Sequence, residues 1–430
     1  MLFLLVGLLS VIMASAQADP VDEIIQEEMK RQNIPGASVA ILRKGKIVKA
    51  KGYGYADLEN RVPATPQTVY QIGSVTKQFT AIAILMLAEA GKLKIDDPVV
   101  QYLPDAPPAW KPVTLRQMLT HTSGIVPNFP ETQNEWRSPI TPAQLLQSVH
   151  DTPLQFEPGS KWDYCNTAYF ALGLVVEKVS GKSYAEFLTE RIFKPLGMSE
   201  TRLNDVNAIF AHRAAGYTQT ENGLTNAEMV HPSWPFAAGA LVSTVTDLAR
   251  WDAALRGERL VKAETLQEAW KPVRLTDGST APYGFGWALD NRYRRMVHHG
   301  GGIPGFTSYI LRFPDEDLTV ILLCNQMVDT GMIARRIALR QLPAPKDARR
   351  ITFRLNGHDK AQSVAVAGSF NEWTPTYMKR ASGGWEVTVT VAPGRQPYKF
   401  IVDGEWITDP SNPETEKDGE FTNSVRIVSR

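Results

Sequence analysis

Two hydrophobic rhythms divide this chain. Up to about residue 340, apolar runs at helical spacing alternate with short β-rich runs; from residue 350 onward the dominant period is two. Past the N-terminal leader, the most apolar segment is Gln78 to Ala90, where Phe79, Ile82, Ala83, Leu85, Met86 and Leu87 place apolar groups nearly all round a helix. A helix of that kind is buried in a large core, and Gly91 supplies its stop. Val21 to Gln32 predicts a short helix, and Ala37 to Leu42 with Ile47 to Gly52 predicts a hairpin around Arg43-Lys44-Gly45-Lys46. A helix over Thr167 to Val179 ends at Gly181. Thr244 and Asp247 have capping-box spacing at the start of another. Tyr283 to Trp287 opens a strand, and Ser308 to Phe313 with Thr319 to Leu323 flanks the turn Pro314 to Asp317.

After a linker over 341–349, apolar residues alternate at Ile351, Phe353 and Leu355, then Val364 and Val366, then Trp385, Val387, Val389 and Val391, then Tyr398, Phe400 and Val402. Residues 350–430 therefore read as a small antiparallel sandwich. At the other end, the run Leu2 to Met13 followed by Ala14-Ser15-Ala16 is too short for a comfortable membrane span. Residues 1–18 read as a signal peptide cut after Ala16 or Ala18, although no Lys or Arg precedes the apolar run. The expectation is an exported protein, periplasmic or extracellular, with no transmembrane domain beyond that segment. A first domain over 19–340 lies between leader and linker.

Composition narrows the function classes. With 46 basic and 45 acidic residues there is no electrostatic case for nucleic acid or an anionic membrane as partner. Two cysteines, Cys165 and Cys324, provide no disulfide framework, and a bond between them is not expected. His121 has no second histidine at ligand spacing, so a structural hydrogen bond is expected of it rather than a metal. No metal and no cofactor is called for.

The candidate chemistry begins at Gln71-Ile72-Gly73-Ser74-Val75-Thr76-Lys77. Ser74 stands at the positive end of the buried helix, and Lys77 lies three residues on, over the same face. That pairing suits a hydroxyl that must lose a proton to attack a carbonyl. Tyr164 and Asn166 alternate around Cys165 and point the same way if the segment is extended, with the thiol turned into packing. A phenol near a lysine is expected to ionise more easily than usual, which would make Tyr164 a general base. The run His298-His299-Gly300-Gly301-Gly302-Ile303-Pro304-Gly305 formally matches a dinucleotide fingerprint, but Pro304 lies inside it and a strand follows. It reads instead as a strand edge along which a substrate lies against Gly300 and Gly301, with backbone N–H groups free to bind an oxyanion.

Taken in order, Ser74-Val75-Thr76-Lys77, Tyr164-Cys165-Asn166 and His299-Gly300-Gly301 resemble the serine β-lactamase and penicillin-binding-protein superfamily. The likeness is greatest to the class C-related branch of esterases, DD-peptidases and D-aminopeptidases. The resemblance implies an α+β fold, an antiparallel sheet flanked by helices plus an all-helical lobe. It implies Ser74 as acylated nucleophile, Lys77 and Tyr164 as proton carriers, and Asn166 orienting substrate and Lys77. The backbone N–H groups of Ser74 and Gly302 would form the oxyanion hole. His299 falls where β-lactamases usually carry lysine, so a substrate carboxylate has a weaker anchor. The expected reaction is hydrolysis of an ester or D-amino-acid peptide. A β-lactamase is the alternative, and a non-catalytic receptor for peptidoglycan or glucan is a third reading. Gly368-Ser369-Phe370-Asn371-Glu372-Trp373 and Tyr398 to Trp406 resemble a glycogen-binding, Ig-like carbohydrate module, which implies Trp373, Lys399 and Trp406 as sugar contacts and an α-glucan or cell-wall glycan as partner.

Overall fold

A computed structural model describes residues 19–129 and 135–429. The leader expected over residues 1–18 lies outside the described residues. Among the described residues, no helix is long and apolar enough to cross a membrane.

The first domain is built on a seven-stranded antiparallel sheet. Its strands run in the order Ala288–Asp290, Met296–Ile303, Phe306–Phe313, Leu318–Cys324, Gly36–Arg43, Lys46–Asp57 and Val62–Pro63. The central strands Gly36–Arg43 and Leu318–Cys324 are almost wholly buried, because both faces of the sheet are covered. Helices Pro20–Gln32 and Thr330–Gln341 close one face through Val21, Ile24, Ile25, Ile333 and Ile337. The other face joins a larger core around helix Thr76–Glu89, which is buried nearly all round as its sequence requires. Helix Asn166–Ser180 packs against it and ends at Gly181 in the left-handed conformation.

Two local expectations are corrected. Tyr283 to Trp287 is not a strand: Gly286 adopts φ +86°, and a side chain there would meet the Lys77 carbonyl at 2.9 Å. The chain therefore bends against the buried helix, Tyr283 bridging across the bend to Ala288, where the strand begins. Thr244 caps helix Val245–Ala254 by accepting from the Asp247 N–H, but the Asp247 carboxylate does not complete a box. It accepts instead from Glu200 N and Thr201 Oγ1. Helix Asn166–Ser180 is capped by Cys165, its sulfur accepting from Ala168 N at 3.3 Å.

The C-terminal strands form two facing sheets, Arg349–Asn356 with Gly384–Val391 and Lys379–Ala381, and a larger one centred on Val364–Gly368, Gly394–Val402 and Phe421–Val428. Phe353, Leu355, Val366, Trp385 and Phe400 fill the space between them. The sandwich is fastened to the first domain. Tyr377 lies against the Arg31 and Arg336 guanidinium groups, 4.7 and 4.8 Å from its ring centre. Arg294 donates at 2.8 Å both to Glu372 of the sandwich and to Glu316 of the first domain.

One buried ion pair ties the helical lobe to the sheet: Arg312 donates to Asp252 Oδ1 through Nε at 2.9 Å and Nη2 at 2.6 Å. Asp252→Ala would leave a guanidinium buried without its partner. Its expected cost is about 3–5 kcal/mol in urea unfolding monitored by circular dichroism.

Candidate active site

The Ser74 hydroxyl is presented by a single tight turn, Gly73–Val75, that runs directly into helix Thr76–Glu89. Gly73 takes φ +48°, and a side chain there would meet Gly302 N at 2.8 Å. That close approach, open only to glycine, sets the Gly302 N–H beside the serine turn. Gly301 is pressed from the other side, because its missing side chain would run into the Ile72 carbonyl at 2.0 Å. Gly301 is therefore a packing glycine and does not border the groove as expected. Gly300 and Gly302 border it instead.

Lys77 is fully buried, and its Nζ lies 3.1 Å from Ser74 Oγ, 2.7 Å from Asn166 Oδ1 and 2.8 Å from the Ala238 carbonyl. No carboxylate is among these groups, so burial is uncompensated and lowers the amine to about 7. Near neutral pH a large fraction of Lys77 is the free amine, able to accept the Ser74 proton. Tyr164 sits with its ring 4.8 Å from the same nitrogen. Contrary to the expectation of an easily ionised phenol, burial raises it well above the usual tyrosine range, so it rests as a neutral hydroxyl.

The segment carrying Tyr164 and Asn166 is held extended by its neighbours. Asp163 N–H donates to the His121 carbonyl at 2.9 Å, Cys165 N–H to His121 Nδ1 at 3.0 Å and Asn166 N–H to the Pro127 carbonyl at 2.7 Å. His121, buried and at φ +60°, thus has the structural role expected of it. Asn166 Nδ2 donates to Asn128 at 2.8 Å, which leaves its Oδ1 turned to Lys77. The Cys165 thiol faces the Ile125 and Val126 carbonyls, away from Ser74, and burial pushes it up to about 12.

His299 differs most from expectation. Its Nδ1 is 2.5 Å from the Gly300 carbonyl, which can only accept, so the proton is on Nδ1. Nε2 must then accept from the Tyr283 hydroxyl, 2.8 Å away. Burial and the nearby Lys77 lower the imidazole to about 3. Both ring nitrogens are committed to the protein, so His299 is a positioning group and offers no hydrogen bond to a bound molecule. Tyr283 was not singled out from sequence; the two glycines flanking Phe285 were the one signal of a close approach.

Two chambers open from these groups. The first, about 480 Å³, contains Ser74, Asn166 and Gly302 and is walled mainly by Phe129, Trp136, Phe170, Val230, Trp234 and Ile303. The second, about 580 Å³, contains Tyr164, His299 and Gly300 and is lined by Trp162, Asp290, Asn291, Arg292 and Arg335. Burial works against the Asp290 carboxylate, but Arg292 and Arg335 outweigh it and keep it ionised. In the C-terminal sandwich, the Trp373 and Trp406 rings lie 6.2 Å apart, and Lys399 sits over the exposed Phe421 ring. Among the described residues, no cluster of side chains has the make-up of a metal site.

The beta-lactamase family profile matches residues 21–343, and that of the glycogen recognition site of AMP-activated protein kinase matches residues 351–430. Penicillin-binding protein 4* of Bacillus subtilis is 33% identical over 306 residues, 66% of this chain and 67% of its own length. The chain spans 62–67% of the length of the first curated relatives it matches. An octameric penicillin-binding protein homologue from Pyrococcus abyssi superposes with a TM-score of 0.66 at 26% identity, covering 90% of this chain and 94% of that one. A D-amino acid amidase from Ochrobactrum anthropi, solved with L-phenylalanine, gives 0.66 and 26% over 75% of this chain and 98% of its own.

The lysine sets the expected reactivity of Ser74. Phosphonylation by a fluorophosphonate, followed by intact mass, should rise about tenfold per pH unit below 7 and level off above it. Lys77→Ala should slow it at least a hundredfold and remove the pH dependence. Neither cysteine should react with iodoacetamide while the protein is folded.

Proposed function

The chain belongs to the beta-lactamase and penicillin-binding-protein family, as a serine hydrolase followed by a glycogen-recognition module, and on that premise we propose that it hydrolyses esters or D-amino-acid amides of bulky apolar acids through an acyl-enzyme on Ser74. The observation that carries this reading is the Ser74–Lys77–Asn166 contact set opening into an aromatic chamber. Ser74 Oγ attacks the acyl carbonyl as its proton passes to Lys77. The N–H groups of Ser74 and Gly302 bind the developing oxyanion, a contribution of about 3–4 kcal/mol for a single donor. Tyr164 relays the proton from Lys77 to the departing alcohol or amine. Water then releases the acid by the reverse route.

The proton donor orients the substrate. Tyr164 borders the chamber that carries the charged side chains, so the leaving group occupies that side, and the acyl side chain enters the aromatic chamber beside Asn166 and Trp234. A solved relative titled as a D-amino acid amidase in complex with phenylalanine supports an aromatic acyl part. The neutral, fully bonded His299 supports substrates that need no carboxylate anchor.

Intact-mass spectrometry with p-nitrophenyl phenylacetate, p-nitrophenyl acetate and benzylpenicillin tests the assignment. A phenylacetyl adduct and a kcat/KM at least tenfold above that for the acetate are expected, with both absent from Ser74→Ala. Rapid Ser74-dependent loss of penicillin in preference to the esters would return the β-lactamase reading. Wild-type turnover by Ser74→Ala would overturn the mechanism.

A further inference from the structure

The leaving-group chamber differs from its neighbour in a way that the acyl-transfer chemistry does not require. Its wall combines a half-exposed indole, Trp162 at 39%, with Asp290, Asn291 and Arg292. A flat apolar ring beside hydroxyl-bonding side chains is the chemistry that holds a saccharide, stacking on its C–H face and pairing with its hydroxyls. The acyl chamber has polar groups of its own in Ser74, Asn128 and Asn166 but no charged side chain.

The chamber also leads somewhere. Asp290, Asn291 and Arg292 begin the hairpin between strands Ala288–Asp290 and Met296–Ile303, and the next two residues of that hairpin touch the sandwich. The Tyr293 hydroxyl lies beside the Trp373 indole. Arg294 is the residue bonded to Glu372. Trp162 shares its chamber with Arg292, the residue before Tyr293, and Trp373 in turn neighbours Trp406; Tyr293 and Trp406 are each 45% exposed. From His299 to Tyr293 is six residues, a span of at most about 20 Å. The double anchorage by Arg294 and Tyr377 keeps the two ends of this track together.

Building on the acyl-enzyme reading, we infer that the substrate is an acylated oligosaccharide, with its apolar acyl group in the chamber beside Ser74 and its sugar chain running from Trp162 over Tyr293 to Trp373 and Trp406. The bond broken is the ester C–O. The acyl carbon bonds to Ser74 Oγ, the sugar oxygen leaves with the proton relayed by Tyr164, and water later releases the carboxylic acid. The sugar is the leaving group, which places it on the side of Trp162 and the charged side chains.

The test uses the full chain and two esters of phenylacetic acid, one on a hydroxyl of maltoheptaose and one on methanol. The expected kcat/KM is at least tenfold higher for the saccharide ester. Trp406→Ala and Trp162→Ala should each lower the ratio of the two values severalfold. Turnover of both esters at a ratio near one, or a ratio indifferent to both substitutions, overturns the saccharide inference and leaves the hydrolase reading standing. Absence of Ser74-dependent turnover of either ester defeats the hydrolase reading itself, and the inference with it.

Discussion

An amine buried without a counter-charge is the constraint on which this structure turns. A carboxylate beside Lys77 would hold its proton through neutral pH and leave Ser74 a plain alcohol. Three neutral oxygens hold it instead, from Ser74, Asn166 and Ala238. They belong to three separate elements: the Gly73–Val75 turn, the first residue of helix Asn166–Ser180 and the short helix Phe236–Gly239. The nitrogen is placed only where all three converge, so the packing of the helical lobe and the proton affinity of the lysine are one property. Glycines make the convergence possible. Gly73, Gly286 and Gly301 each stand where a side chain would collide with backbone from another element.

Much of the candidate site's geometry was legible because it is local. Ser74 and Lys77 are neighbours by helical spacing, and Tyr164 and Asn166 share a face by extended spacing; both rules hold without knowledge of the rest of the chain. What failed depended on tertiary surroundings. Tyr164 was expected to ionise readily beside a lysine, but desolvation of the phenol outweighs that neighbour and raises it. Tyr283 to Trp287 has the composition of a strand, yet Gly286 answers to the backbone of another element and bends the segment. The Ala238 carbonyl and Asn128 carry no side-chain signature that spacing reveals. The capping role of Cys165 was equally hidden, since a thiol is a weak acceptor and polar residues are favoured there.

His299 shows how one substitution in a motif reaches past its own position. A lysine at that point would present a charged, mobile ammonium to the groove. The imidazole is instead clamped between the Tyr283 hydroxyl and the Gly300 carbonyl, and burial keeps it neutral. The charged side chains of the cleft lie farther out, at Asp290, Arg292 and Arg335, where they are paired with one another. In the proposed reaction, discrimination at the reacting carbonyl therefore rests on shape and uncharged contacts, with charged recognition displaced to the side assigned to the leaving group.

That displacement gives the sandwich a reason to be where it is. A module joined only by the 341–349 linker would sample many orientations, and its aromatic face would bear no fixed relation to Ser74. Here Tyr377 is packed against two guanidiniums that Glu27 and Glu28 already orient, and Arg294 bridges a carboxylate on each side of the junction. These contacts fall on the helices behind the sheet and on the hairpin that enters strand Met296–Ile303, the strand that carries His299 and Gly302. The same strand thus sets Gly302 beside the serine turn at one end and, through its hairpin, seats the module at the other. The serine turn and the aromatic face of the module are thus related through one strand and its hairpin, which is the geometry that the proposed saccharide substrate requires.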